Sequence, residues 1–161
     1  MNKLRLLVAV IGMSALLVGC SSTKRFAKYH HPNSIPADIK KNGYVLLVIK
    51  QDIGTIDRKV NRYVDKYMRK FYGAPYELID YNELKSEKYA DTDKYRYSIM
   101  GNYAHSNQAD YINDRGQRRS LTVFDMYIRD RKTDIQFTPT GVQQKNFGLL
   151  MKDFAKFMKD K

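Results

Sequence analysis

Cys20 carries the most definite chemistry in this chain, because it is the only thiol among 161 residues. Its sulfur can act once as a nucleophile, but it cannot close an internal disulfide. The three histidines are His30, His31 and His105. His30 and His31 are adjacent, and neighbours on an extended chain point to opposite sides, so they make a poor metal pair. His105 has no serine context that would read as a base beside a nucleophile. Asp91 and Asp93 mimic a fragment of a calcium loop, yet no glycine or closing glutamate follows at the required spacing. No run of zinc ligands and no glycine-rich phosphate loop is visible. Paired carboxylates are assembled in space, so glycoside cleavage stays open at the level of sequence. No cofactor or metal is implied.

The context of Cys20 is more informative than its side chain. Lys3 and Arg5 form a short basic start, and an uncharged, mostly apolar run extends from Leu6 to Val18. That run is too short for a plain spanning helix of roughly 20 residues and suits a signal-peptide core of roughly 7–15. Leu17, Val18, Gly19 and Cys20 close it and resemble a lipobox, with cleavage between Gly19 and Cys20. The resemblance to bacterial lipoproteins implies that residues 1–19 are removed and that Cys20 carries palmitate and other acyl chains. Two or more chains give stable anchoring at about 0.8 kcal/mol per buried methylene. The same resemblance implies, from Ser21 and the lack of an acid among Ser22, Thr23, Lys24 and Arg25, the outer membrane and a domain facing the periplasm.

Loss of residues 1–19 leaves 142 residues, enough for one domain. It also removes two basic residues and no acid, which brings the formal charge from +12 to +10. Such a field favours anionic partners. In an envelope these are head groups, wall polymers or acidic proteins, and nucleic acid is not expected. Solubility alone is an equally open reading, since Asp and Glu are scattered among the basic residues.

The elements follow from periodicity. Residues 20–42, with Pro32 and Pro36 and no sustained apolar period, are expected to be a flexible tether. A single α/β domain is expected over residues 43–161. Tyr44 to Ile49 reads as a strand buried on both faces and therefore central. Ile56, Val60, Tyr63, Val64, Tyr67, Met68 and Phe71 recur at spacings of three and four, along one helix face, ending at Gly73 and Pro75. The opposite face carries Arg58, Lys59, Arg62, Lys66, Arg69 and Lys70. It is a candidate anion- or partner-binding surface, although such a face is more often simply the solvated side of a helix. Strands are expected at Tyr76–Asp80, at Tyr95–Tyr103, at Leu121–Arg129 and at Asp134–Thr138, with a turn over Asp130–Thr133. The polar stretch Tyr81–Asp93 has room for a short helical turn. His105 to Arg119 reads as a long loop in which Arg115, Arg118 and Arg119 are candidate anion-binding residues. Thr140 and Gln143 have capping-box spacing for a last helix with Phe147, Leu150, Met151, Phe154, Phe157 and Met158 on its apolar face.

The expected fold is thus α+β, a two-layer sandwich of a mixed sheet of about five strands with two amphipathic helices in the order β-α-β-β-β-β-α. Over roughly residues 43–160 this order resembles the small α/β domain of envelope lipoproteins. Examples are the activators of penicillin-binding proteins, the curli-secretion lipoproteins and the amino-terminal domain of TolB. A fold of this kind implies no chemistry by itself. Thirteen tyrosines and no tryptophan add an oddity. Tyr63, Tyr67, Tyr95, Tyr97 and Tyr103 fit core or sheet faces, and Tyr81, Tyr89 and Tyr111 fall in polar stretches, where they suit a contact surface or, more readily, the filling of a small core edge. The expected function is a non-catalytic binding or assembly module, anchored in the membrane through Cys20, with an envelope protein or an anionic polymer as partner. A lipid or lipopolysaccharide carrier and a wall-glycan enzyme are the alternatives.

Overall fold

The structure, a computed structural model, describes residues 34–52, 57–105, 111–112, 118–119, 122–139 and 147–159. Along the chain come β1 (Leu46–Ile49), α1 (Asp57–Phe71), β2 (Tyr76–Ile79) and two short 3-10 helices, Tyr81–Lys85 and Glu87–Tyr89. Then follow β3 (Tyr97–His105), β4 (Tyr111–Ile112), β5 (Arg118–Arg119), β6 (Thr122–Asp130), β7 (Gln136–Phe137) and α2 (Phe147–Lys159). The main sheet has the order β2-β1-β3-β6-β7, and β4 pairs with β5 in a separate ladder. β1 is parallel to β2 and β3, whereas β3–β6 and β6–β7 are antiparallel. This is the expected α+β order.

β1 sits between two partners because each of its side chains is apolar. Leu46 and Val48 face the helices, and Leu47 and Ile49 face a second, smaller cluster on the other side of the sheet. Burying each such side chain stabilises the fold by roughly 1.5–3 kcal/mol. Both helices cover the first face. Val60, Val64 and Met68 of α1 meet Phe147, Leu150, Met151, Phe154, Ala155 and Met158 of α2 over Ile99, Met126 and Ile128. α1 stops where the pattern demands: Tyr72 N–H still donates to Met68, and Gly73 then turns out at φ 71°.

One glycine is required by a close approach. Gly101 of β3 lies opposite Met126, and a Cβ there would stand 2.6 Å from Phe147 Cδ2 and 2.7 Å from Gln51 Nε2. The first residue of α2 thus seats its buried ring on bare backbone.

The packed chain begins earlier than expected. Ser34, Ile35 and Ile39 are buried, Tyr72 Oη donates to Ile39 O, and Lys40 Nζ donates to Met158 O at the end of α2. The last part of the expected tether therefore belongs to the core, because Ile35 and Ile39 cover the end of the helix pair and Lys40 satisfies an orphan carbonyl there. The expected loop from His105 to Arg119 contains the β4–β5 ladder, with Tyr111 opposite Arg119. Thr140 and Gln143, the expected cap of α2, lie outside the described residues. So do Gly19, Cys20 and the rest of the segment before residue 34.

Candidate functional site

The six basic residues read from the helical period fall where that period puts them. Arg58, Lys59, Arg62, Lys66, Arg69 and Lys70 are all exposed on α1. At about 100° per residue they cover an arc of roughly 120° on the side away from the sheet. Asp65 stands at one margin and pairs with Arg69 at 3.0 Å, one turn apart. The same carboxylate accepts from Tyr76 Oη at 2.9 Å, and burial together with that bond pushes Tyr76 up to about 12. Among the described residues the other five cations meet no carboxylate at ion-pair distance.

The other margin of the arc is aromatic. Tyr63, Tyr67 and Phe71 were expected in the core face; they line its flank one turn apart, and of the three Phe71 packs against the main core as expected. Their rings stack at 6.2 and 6.4 Å. Tyr63 is 39% exposed, and Val60, Val64 and Met68 take the buried places instead. The difference is angular, since a residue about 100° from Val64 points along the layer and cannot reach the sheet. Lys152 lies over Tyr67 and Lys156 over Phe71, at 5.6 and 5.2 Å, and Lys70 reaches Phe71 from its own helix. The matched steps of four residues show α1 and α2 running in the same direction. A shallow cleft of about 250 Å³ opens at the start of this groove between Tyr63, Tyr67, Gly148 and Leu149.

Charge differs sharply across the sheet. α1 and α2 together hold nine Lys or Arg against three Asp. The segment Glu77–Asp93 holds six acids against two Lys, with Asp80, Glu77 and Asp93 paired to Lys50, Lys88 and Lys132, and it packs over the opposite face through Ile79, Leu84 and Tyr89. Tyr89, left open between a contact surface and a small core edge, is buried. Its hydroxyl donates to Glu77 at 2.8 Å and accepts from Lys88. The Lys88 bond, against some desolvation, holds Glu77 below the usual carboxylate range. Tyr81 is exposed.

The densest polar cluster is structural. Arg96 Nε and Nη2 donate to Asp130 Oδ2 at 3.0 and 2.8 Å, and Nη1 donates to Asp38 and to Tyr44 Oη, both at 3.1 Å. Tyr97 Oη donates to Asp38 Oδ1 at 2.5 Å. Asp130 Oδ1 accepts from the backbone N–H of Lys132 and Thr133. Burial raises the Asp130 carboxyl, but the Arg96 bond and these backbone donors outweigh it and hold it below its ordinary value. Both carboxylate oxygens are therefore committed to holding the turn and the segment before β1. Arg131 fixes the acid-rich segment by donating to the carbonyls of Tyr95, Leu84 and Tyr89. Sequence reasoning passed over Arg96, Asp130 and Asp38 as a set, since their contacts span 34 and 58 residues.

Arg118 and Arg119 form β5, and Arg115 lies outside the described residues, so the structure does not bring that trio to the helix layer in any described contact. The space between helices and sheet, where a carrier would hold lipid, is filled at Phe147, Leu150, Met151 and Phe154, none of which retains exposure. Among the described residues there is no group of three His, Cys, Asp or Glu placed to hold a metal, and no helix is long and apolar enough to cross a membrane. Comparison with family models, curated proteins and solved structures returned no match.

Proposed function

We propose that this chain is an outer-membrane lipoprotein, anchored through Cys20, and that it is a non-catalytic binding or assembly module. Its contact surface is the exposed side of the α1–α2 layer, and the partner presents phosphate or carboxylate groups. The observation that carries this reading is the segregation of charge, with nine cations on one layer and the acid-rich segment on the far side of the sheet. A field so arranged orients the molecule as well as attracting it. The anchor rests on the order of basic start, apolar run, Gly19 and lone Cys20.

Two measurements in intact cells test it. Metabolic labelling with a palmitate analogue should mark the wild-type chain and leave Cys20→Ser unmarked. A photo-crosslinker at Lys66 should yield an envelope adduct that disappears when Lys59 and Arg62 become Glu while labelling persists. An unlabelled wild-type chain removes the anchor, and an adduct indifferent to charge reversal removes the helix layer.

A further inference from the structure

We infer that the anion met by the helix layer is the phospholipid head-group surface of the membrane that holds the anchor, so that α1 lies along the bilayer. This rests on the anchored-module reading above and names the partner of the same surface. Three observations select a lipid surface over an acidic protein. The layer has the wrong composition for the centre of a protein interface: six of its nine cations are Lys, which such centres avoid, and of its three stacked rings Tyr67 and Phe71 are half-buried. Among the described residues the exposed large apolar side chains are Tyr63, Tyr81 and Ile135, in three separate parts of the chain. Six of the cations are also spread along the length of α1 and are not gathered around one cleft, which suits a laterally continuous field. Lastly, Tyr63 and Tyr67 run beside the cations at head-group depth if α1 lies flat, and tyrosine favours that zone.

Reach permits the contact. Fourteen chain steps separate Cys20 from Ser34. At about 3.4 Å each they keep Ser34 within roughly 50 Å of the acylated residue. The acid-rich segment Glu77–Asp93 then faces away from the bilayer, where like charge would repel it.

Vesicle flotation decides the matter, using the chain from residue 20 onward with Cys20→Ser, which retains every described residue and has no acyl chain. It should float with vesicles of phosphatidylcholine and phosphatidylglycerol at three to one and stay behind with phosphatidylcholine alone. Binding should fall as salt rises from about 0.1 M to about 1 M, where screening shortens from ~10 Å to ~3 Å. Each cation removed is expected to lower partitioning about five-fold. Lys59→Glu with Lys66→Glu should therefore lose at least about 25-fold. Lys85→Glu with Lys94→Glu, the same charge change on the far side of the sheet, should lose less than about three-fold. Equal losses in the two pairs, or no preference for the anionic vesicles, overturn the inference. If vesicles are ignored while the Lys66 crosslink in cells still captures an envelope protein in a charge-dependent way, the lipid assignment fails and the binding-module reading survives.

Discussion

Adding one methyl group at Gly101 probes the closest helix–sheet contact in the molecule. Alanine is conformationally acceptable there, since Gly101 is not among the residues with positive φ. An ordinary carbon–carbon contact lies near 3.5–4.0 Å, so a Cβ at 2.6 and 2.8 Å from two atoms of the Phe147 ring overlaps it by about 1 Å. The ring has no exposure and sits among Leu150, Met151 and Met126, so it cannot swing into solvent. Overpacking of this kind costs about 1–3 kcal/mol. Replacing a strand glycine returns about 0.5–1 kcal/mol by reducing unfolded-state freedom. The net expectation for Gly101→Ala is a loss of up to about 2.5 kcal/mol, or a fall in Tm of up to roughly 10 °C for a domain of this size. Urea unfolding of the chain from residue 20 onward, with Cys20→Ser, measures it. Phe147→Leu alone leaves a cavity and should cost about 1–2 kcal/mol. In the double variant the new methyl group occupies part of that space, so the loss should be at least about 1 kcal/mol smaller than the two single losses added. A stabilising Gly101→Ala, or strict additivity in the cycle, would refute the packing argument.

Two further expectations concern parts of the fold that hold the layer in place. Arg96→Ala should lose about 3 kcal/mol in the same unfolding assay. It strands the buried Asp130 carboxylate, and the low end of the usual range applies because 24% of the Arg96 side chain still touches water. Folded Asp130 and Glu77 ionise below their ordinary values near 3.8 and 4.5, so both contributions are complete above those values and are lost as pH falls through the lowered ones. The acid limb of the stability–pH curve should therefore flatten in Asp130→Asn, and an unchanged limb would exclude it as a source. Ile39→Ala should cost about 2–4 kcal/mol, because its side chain is 2% exposed over Tyr72 and the helix ends. A cost below about 0.5 kcal/mol would return residues 34–42 to the tether.

Which parts of this structure could be read from the sequence follows from the range of the interactions that fix them. β1 and α1 were legible because each declares itself within one window: an unbroken apolar run for β1, and spacings of three and four for α1. The basic stripe came with the same period. Its aromatic margin was misplaced because Tyr63 and Val60 share that spacing, and only their angular separation decides which of them reaches the sheet. Ile35 and Ile39 were passed over beside Pro36 and Asn33, although their spacing of four residues was a signal. Tyr89 stayed open between surface and core edge for a different reason. It sits among polar neighbours in a single 3-10 turn, where no period can build up, and its burial depends on Glu77 and Arg131 arriving from elsewhere.

The segregation of charge is a product of topology, and composition alone could not supply it. β1 and β2 are parallel, so their connection must cross a face of the sheet, and α1 makes that crossing with its cations outward. β2 ends at Ile79 on the other face, as its place beside Leu47, Ile49 and Tyr89 shows. The chain then runs from Asp80 to Asp93 over that second face before it returns as β3, which is parallel to β1 on its other side. Two successive connections thus cover opposite faces, one basic and one acidic. Had the second connection passed over the same face as the first, its acids would have neutralised the stripe, and the same net charge of +12 would have been spread without direction. The position of Asp80, Glu83, Glu87, Asp91 and Asp93 relative to the sheet is therefore as much a determinant of the anion-facing surface as Lys59, Arg62 and Lys66 themselves.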